Sequence, residues 1–220
     1  AVIAVGGELI KLAQKHRLPY IQMPNTGIQP RSALGFGLKA LFKILGDEKA
    51  LKDCAALAKK LNPGALEEAG KTLALEMKDC VPIIYSSRAN KAIAYNWKIK
   101  FNETGKIPAF YNVFPELNHN EMTGFDVTEN SKHLSQNFYF IILKDEADDK
   151  KIIKRMDILT QLYKNRGLKV KIIAMPEKNK LEKIFNSLLL ADWTAVYLAE
   201  LYGLESEQVP MVEEFKKLIQ

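Results

Sequence analysis

The stretch Asn137-Phe138-Tyr139-Phe140-Ile141-Ile142-Leu143 decides the fold, because one asparagine is followed there by six apolar residues. An unbroken apolar run of this length and composition predicts a central strand that is buried on both faces. Val81–Tyr85 and Val170–Ala174 have a similar character and lie on either side of it along the chain. The three runs together predict a parallel sheet in the second half of the protein.

Segments of helical character separate these strands. The predicted helices cover about 86–102, 147–165 and 179–202, and a last helix begins at Pro210. Because strand and helix alternate, the leading architecture is α/β, with a doubly wound parallel sheet.

The first part of the chain shows the same alternation. Ser32 is a candidate N-cap for its second helix. The predicted strands and helices lie at 1–5, 8–17, 19–23 and 33–45.

The helices from Asp47 to Lys78, interrupted at Asn62-Pro63-Gly64, show no strand pattern. We therefore expect residues 1–46 to be the C-terminal part of one domain, 47–79 a helical connector and 80–220 a second domain. Because Ala1 opens directly on an apolar strand, we also expect further chain upstream.

Composition excludes several classes of protein. The net charge of +6 fits an anionic partner, but the segment 145–155 carries charges of both signs, which indicates a solvated helix face rather than a nucleic-acid surface. No run of 18 apolar residues is present, so no membrane partner is expected. Two cysteines without a CxxC pair, Cys54 and Cys80, are typical of reduced thiols in the cytoplasm.

Ligands of doubly wound proteins gather at the carboxyl ends of strands. Applied to this sequence, that rule selects five places: Gly6-Gly7, the loop 24–32, Ser86-Ser87-Arg88, the turn 102–106 and the loop 114–121.

Pro115-Glu116-Leu117-Asn118-His119-Asn120-Glu121 is the densest of these places in polar chemistry. An imidazole between carboxylates suits acid–base work near neutral pH. A capped helix end with a satisfied histidine is an equally good interpretation. No HExxH or CxxC motif accompanies the segment, so no metal is expected.

Glu103 and Arg31 are weaker candidates on residue type alone. Glu103 lies in the turn 102–106, and composition favours a plain surface carboxylate there. Arg31 precedes a predicted helix N-terminus, where a guanidinium beside free N–H groups would bind an anion. A surface arginine is an equally good interpretation.

Five segments in this order carry a family likeness. They are Gly6-Gly7, Gln29–Gly35, Tyr95-Asn96-Trp97-Lys98 leading into Asn102-Glu103, Pro115–Glu121, and Pro210–Lys216. Through them the chain resembles the bifunctional phosphoglucose/phosphomannose isomerases of the sugar isomerase (SIS) domain superfamily over nearly its whole length. The resemblance implies two doubly wound, flavodoxin-like parallel-sheet lobes of SIS type, the first of them incomplete.

The resemblance also implies roles for particular residues. Glu103 looks like the base that moves a proton between C1 and C2 of an open-chain sugar 6-phosphate through an enediol. His119 looks like the group that opens the sugar ring, and Lys216, with Lys217 as the alternative, looks like its partner. Arg31 looks like the cation that stabilises the enediolate.

No cofactor is implied, and the expected assembly is a homodimer in which the second subunit supplies the histidine. Two departures from the family pattern stand out. The Ser/Thr-rich phosphate loop that precedes the family's equivalent of the Ala1 strand is not found, so we expect a fragment or a split protein. Val209 replaces a threonine, which weakens the expectation of activity on mannose 6-phosphate.

Three functions therefore compete. The leading hypothesis is an aldose–ketose isomerase that interconverts glucose 6-phosphate and fructose 6-phosphate. The alternative is a non-catalytic SIS module that binds a sugar phosphate and regulates a partner. The third is an α/β domain with no ligand. Retention of the predicted base favours the enzyme, because a binding module has no need of it.

Overall fold

The computed structural model describes residues 1–219 and separates into two compact units, one formed by Ala1–Leu61 and one that begins at Asn62. The division falls inside the segment 47–79. The domain boundaries drawn from the sequence remain predictions.

The first unit is built on a two-stranded parallel sheet, in which Ile3 is paired with Ile21. Each strand and helix predicted in residues 1–46 is present. The elements are β1 (Val2–Ala4), α1 (Glu8–Lys15), β2 (Tyr20–Gln22), α2 (Leu34–Leu45) and α3 (Glu48–Lys60).

The predicted helix cap at Ser32 is wrong. Ser32 ends a short 3₁₀ turn, Pro30–Ser32, and the N-cap of α2 is Ala33, which makes no side-chain capping bond. Helix α3 does have a side-chain cap, because Asp47 accepts a hydrogen bond from the Ala50 N–H at 2.9 Å.

The second unit holds a four-stranded parallel sheet with the strand order β4-β3-β5-β6. In this order β3 and β5 lie in the middle of the sheet, and β4 and β6 form its two edges. The elements are α4 (Glu67–Glu76), β3 (Val81–Ser87), α5 (Lys91–Glu103), β4 (Phe110–Phe114), α6 (Glu121–Gly124), α7 (Lys132–Ser135), β5 (Phe138–Asp145), α8 (Lys150–Asn165), β6 (Lys169–Met175), α9 (Lys180–Leu201) and α10 (Pro210–Leu218).

Strand β5 confirms the prediction made from Asn137–Leu143. Its side chains alternate between the two faces of the sheet. Ile141 and Leu143 pack with helices α4, α5 and α9, whereas Phe140 and Ile142 pack with α8 on the other face. All four residues are fully buried. The second unit is therefore a three-layer α/β/α domain around a doubly wound sheet.

Helix α9 is the one helix among residues 1–219 that is long and apolar enough to cross a membrane. Its apolar residues Leu188, Ala191, Ala195 and Leu198 belong to the core of the second unit. The helix therefore packs as a core helix of an α/β domain.

Helices α4 and α9 approach each other closely at Gly70. A Cβ atom added to Gly70 would lie 2.4 Å from the Cβ of Trp193 and 3.0 Å from the amide nitrogen of Thr194. Beside this contact, Trp193 Nε1 donates to the Pro63 carbonyl at 2.8 Å, and the Tyr197 hydroxyl donates to Glu67 at 2.7 Å. Glycine at position 70 is therefore required by packing.

We predict that Gly70→Ala lowers the free energy of unfolding of the second unit by about 1–3 kcal/mol, the usual cost of overpacking. The matched control is Gly124→Ala, because an added Cβ there has no heavy atom within 4 Å. The control should be neutral or stabilise by up to about 1 kcal/mol. Chemical denaturation measures both, and equal effects would contradict the packing argument.

Candidate active site

The strand order places a topological switch point between the carboxyl ends of β3 and β5, and a network of charged groups fills it. Lys183 Nζ lies 2.5 Å from Asp145 Oδ1, and both side chains are buried. The Asn90 amide donates to Asp145 Oδ2 at 3.1 Å and to Asp148 Oδ1 at 3.3 Å. Ser87 Oγ accepts from the Asn90 N–H at 3.3 Å.

The pKa values of the two carboxyl groups in this network are shifted in opposite directions. Burial by itself would raise the pKa of Asp145, but hydrogen bonds from Lys183, the Ala147 N–H and Asn90 outweigh it and hold that pKa below its ordinary value. Burial raises the pKa of Asp148, and the neighbouring Asp145 carboxylate raises it further. A negatively charged sugar phosphate would meet these two carboxyls here. Of the place predicted at Ser86-Ser87-Arg88, Ser87 takes part in this network, whereas Arg88 is exposed.

His119 lies at the carboxyl end of β4, as the sequence predicted for the 114–121 loop. A 3₁₀ turn over Glu116–Asn118 precedes it, and α6 begins two residues after it. Leu117 is fully buried and attaches the turn to the core. The His119 side chain is exposed, and its ring has no hydrogen-bond partner among residues 1–219. The imidazole is therefore accessible to a substrate.

A groove of about 440 Å³ runs beside His119. Its floor is apolar, and the first turns of α8 place three cations along it. The lining residues are Asn118, His119, Met122, Lys151, Lys154, Arg155, Ile158, Leu159 and Leu162. No carboxylate lines this groove, so its charge suits an anionic group next to the imidazole.

Glu103 is the last residue of α5, and the end of this helix is held firmly. Lys100, one turn earlier, is 2% exposed and forms an ion pair with Asp192 of α9. Trp97 Nε1 donates to Ser187 Oγ at 2.9 Å, and the Asn102 amide donates to the Ile107 carbonyl at 2.9 Å. These contacts fix the backbone position from which the Glu103 carboxylate extends.

The placement of the turn 102–106 at the carboxyl edge of the sheet is wrong. This turn follows a helix and leads into β4, so it lies at the amino edge, whereas His119 follows β4 at the carboxyl edge. The five-residue strand between them spans about 16 Å. One chain therefore does not bring Glu103 and His119 into contact.

Lys216 lies on α10, a surface helix without buried residues. Its ammonium group pairs with Glu213 at 2.7 Å, and both side chains are about half exposed. The ammonium group of Lys106 donates to the Glu103 carbonyl at 2.6 Å and to the Gln208 carbonyl. It thereby joins the end of α5 to the segment that precedes α10. Glu103 and the start of the helix that carries Lys216 are thus neighbours.

Arg31 belongs to the first unit, in the 3₁₀ turn before α2. It is 8% exposed, so it is not the surface arginine that the sequence left open. A cavity of about 350 Å³ in the same unit is lined by the loop that follows β2, by Val5 after β1 and by the first residues of α2. The carboxyl ends of both short strands therefore open on a cavity, as predicted for the loop 24–32.

Sequence reasoning did not identify Lys183, which pairs with Asp145, or Tyr85 and Asn112, whose side chains donate hydrogen bonds to Glu121. In the sequence, Tyr85 is one more large residue of a mostly apolar strand, and Asn112 is an ordinary residue of β4. A lysine in the first turns of a helix normally lies in solvent. Their partners come from distant parts of the chain, so no local pattern marks them. Among residues 1–219, no group of three His, Cys, Asp or Glu side chains is arranged to hold a metal ion.

We predict that Lys183→Met lowers the free energy of unfolding by about 3–5 kcal/mol at neutral pH, because it leaves the buried Asp145 carboxylate without its counterion. In the wild type, the depressed pKa of Asp145 contributes stability at neutral pH that is lost as the pH falls below about 4. The difference between variant and wild type should therefore shrink in acid.

The matched control is the double variant Lys183→Met/Asp145→Asn, in which no unpaired charge is left. It should regain most of the stability lost by the single variant. Denaturation at pH 7 and pH 3 measures both proteins. Equal losses in the single and double variants would show that the charge pair is not what holds the switch point together.

Three comparisons place the chain among known proteins. A family profile described as the bacterial phospho-glucose isomerase C-terminal SIS domain matches residues 66–219. A bifunctional phosphoglucose/phosphomannose isomerase from Aquifex aeolicus (strain VF5) is 32% identical over 98% of this chain and 66% of its own length. A relative of the same description from Caldicellulosiruptor bescii is 35% identical over 97% of this chain and 66% of its own length.

A glucose-6-phosphate isomerase like protein from Thermus thermophilus has a similar crystal structure. Its TM-score is 0.62 at 17% identity, over 94% of this chain and 76% of that one, which supports the fold alone. The present chain spans about two thirds of the length of the two sequence relatives. Because the family profile covers well over half of the chain, this protein belongs to the family of the bacterial phospho-glucose isomerase C-terminal SIS domain.

Proposed function

We propose that this chain carries the proton-transfer groups of an aldose–ketose isomerase that interconverts glucose 6-phosphate and fructose 6-phosphate, and mannose 6-phosphate at a lower rate. One observation carries the proposal: a firmly held carboxylate, Glu103, and an accessible imidazole, His119, occur together in a member of this family. Val209, whose side chain cannot form a hydrogen bond, supports the lower rate with the mannose epimer.

In this proposal, Glu103 removes the proton from C2 of the open-chain aldose. The electrons of the C–H bond form the C1–C2 double bond, and those of the C1 carbonyl bond move to its oxygen, which gives an enediolate. A proton passes from the C2 hydroxyl group to the C1 oxygen. As the C2 carbonyl forms, the same carboxyl group returns its proton to C1 to give the ketose. No electrons leave the substrate, so the step needs no oxidant. A carboxylate suits this transfer because one group serves as base and then as acid.

His119 is proposed to open the ring by giving a proton to the ring oxygen as its bond to C1 breaks, while the C1 hydroxyl group loses its proton and becomes the aldehyde. Lys216, or the adjacent Lys217, is its proposed partner in that step. Arg31 is proposed to stabilise the negative charge of the enediolate, an electrostatic role of the oxyanion type. The burial of Arg31 supports this role, because charge–charge attraction is stronger away from water.

The site is proposed to form between two copies of the chain. Glu103 and His119 lie at opposite edges of one sheet, so a substrate that touches both needs a second copy to supply one of them. A closed two-fold dimer makes two such sites, each with Glu103 of one copy and His119 of the other. Both cysteines are free thiols, as expected of a protein in the reducing cytoplasm.

We predict that Glu103→Gln lowers kcat by on the order of 10²–10⁴-fold, because the amide cannot accept the C2 proton. Binding of fructose 6-phosphate should remain close to the wild-type affinity, since size and hydrogen-bonding capacity are conserved. The assay compares the chain as given with the chain joined to the remaining third of the Aquifex aeolicus relative.

The control for this assay is Glu129→Gln, an exposed carboxylate that pairs with Lys132 and has no proposed role in proton transfer, which should keep wild-type turnover. Turnover by Glu103→Gln at the wild-type rate would rule out Glu103 as the base. If the chain as given and the joined chain both bind the sugar phosphate and neither converts it, the alternative, a non-catalytic binding module, is favoured.

We predict that mixing Glu103→Gln with His119→Gln restores activity that neither variant has alone. Random exchange of subunits makes half of the dimers mixed, and each mixed dimer has one intact site, so about a quarter of wild-type activity should return. Isomerase assays after subunit exchange measure this. An unrestored mixture would show that both groups act within one chain.

A further inference from the structure

Glu121 lies two residues beyond His119 and is not used by the proposed chemistry. Its carboxylate accepts two hydrogen bonds from the sheet. The Tyr85 hydroxyl donates to Oε1 at 2.5 Å, and the Asn112 amide donates to Oε2. Tyr85 and Asn112 are directly opposite each other in the β3–β4 ladder. One carboxylate therefore attaches the His119 segment to two neighbouring strands.

Both donors are constrained to point at Glu121. Asn112 Oδ1 accepts a hydrogen bond from the Val113 N–H at 2.8 Å, which turns the amide nitrogen towards the carboxylate. Tyr85 is fully buried, and burial raises its pKa far above the ordinary value, so its hydroxyl stays protonated and can donate. If the carboxylate were removed, two donors at the edge of the core would lose their acceptor.

His119 sits midway between two anchors. The buried Leu117 holds the chain two residues before it, and Glu121 holds the chain two residues after it. The backbone between the anchors is tied as well, because the His119 N–H donates to the Glu116 carbonyl at 2.9 Å and the Glu121 N–H donates to Asn120 Oδ1 at 2.6 Å. The imidazole ring itself has no partner among residues 1–219. Its location is therefore set by the backbone on either side.

We propose that Glu121 is a positioning residue for His119, which it acts on through the backbone rather than by touching the substrate. The proposal rests on the ring-opening role proposed for His119. Without the Glu121 carboxylate, the segment loses its polar link to β3 and β4 and keeps the apolar contacts of Leu117 and Met122, so the imidazole samples positions away from the ring oxygen of the substrate. A displacement of about 1 Å at a reacting group is enough to lower a rate by roughly 10²-fold.

Tyr163 provides a matched control for the Tyr85 contact. Its hydroxyl is buried close to Tyr85 and Glu121, but it forms no hydrogen bond of normal geometry among residues 1–219. Its ring packs against Phe140 at 4.6 Å between centroids, and the Tyr85 ring packs against the same Phe140 at 5.6 Å. Tyr85→Phe and Tyr163→Phe therefore make the same chemical change in one aromatic cluster. Only Tyr85→Phe removes a donor to Glu121.

The structural test uses the chain as given, with NMR of the backbone amides of 118–122 and of the His119 ring. Tyr85→Phe and Glu121→Ala should shift and broaden these signals, and Tyr163→Phe should leave them in place. Glu121→Gln should give smaller changes, because its amide can donate to Tyr85 while its oxygen accepts from Asn112. Equal changes in all the variants, or no change in Glu121→Ala and Glu121→Gln, would overturn the proposal.

The functional test uses the chain joined to the remaining third of its relative. Glu121→Ala should lower kcat for glucose 6-phosphate by about 10–100-fold, with KM little changed, as for other supporting residues of catalytic groups. Erythrose 4-phosphate cannot close a ring, so exchange of its C2 proton with solvent needs Glu103 but not His119. That exchange should keep the wild-type rate in Glu121→Ala.

Turnover of glucose 6-phosphate and proton exchange of erythrose 4-phosphate distinguish a failure of this proposal from a failure of the proposed function. Equal losses with both substrates would overturn positioning in favour of a general effect on the fold. Shifted NMR signals with normal turnover of glucose 6-phosphate would overturn the ring-opening role of His119, and with it the functional half of this proposal. A loss of activity confined to glucose 6-phosphate, the ring-forming substrate, supports both the positioning role of Glu121 and the ring-opening role of His119.

Discussion

The parallel pairing of β3 with β4 and β5, inside a sheet buried on both faces, is the constraint on which the rest of the structure depends. Parallel strands must be joined by helices that run back along the sheet, so each helix carries the chain from the carboxyl edge to the amino edge. Helix α5 therefore delivers Glu103 to one edge, and β4 then carries the chain to His119 at the other. The separation of the two proposed catalytic groups follows from strand direction alone.

The same constraint explains how charge is distributed at the carboxyl edge. The switch point between β3 and β5 is the place where a doubly wound sheet usually binds its ligand. Here Asp145 forms an ion pair with Lys183 and accepts a hydrogen bond from Asn90. The protein's own side chains therefore occupy and stabilise the crevice. Accessible cations also line the groove along α8, next to His119, where no carboxylate is present. In the second unit, a groove suited to an anion thus lies at the end of β4, whereas carboxyl groups occupy the switch point.

Much of this fold could be predicted from the sequence, because its strands are apolar runs and its helices have regular periods. Asn137–Leu143 and Val81–Tyr85 marked the central strands, and Pro210 marked the start of the last helix. The placement of the turn 102–106 failed because a residue pattern does not show at which edge a turn lies. The predicted cap at Ser32 is wrong because Ser32 ends a 3₁₀ turn, and the N-cap of α2 is Ala33.

The candidate site was less accessible to prediction. Glu103, His119, Arg31 and Lys216 were found through the order of motifs in a family, and residue types alone left each of them open. Glu121 stood in the same motif, but its role depends on Tyr85 and Asn112, which come from two other strands. Such long-range hydrogen bonds leave no local pattern in the sequence, because only the fold brings their partners together.

We propose that one active site takes Glu103 and His119 from different copies of the chain. A crystal structure of the chain joined to the remaining third of its relative, with bound fructose 6-phosphate, would test this directly. Glu103 of one copy and His119 of the other should contact the same sugar. A sugar held by Glu103 and His119 of a single copy would contradict it.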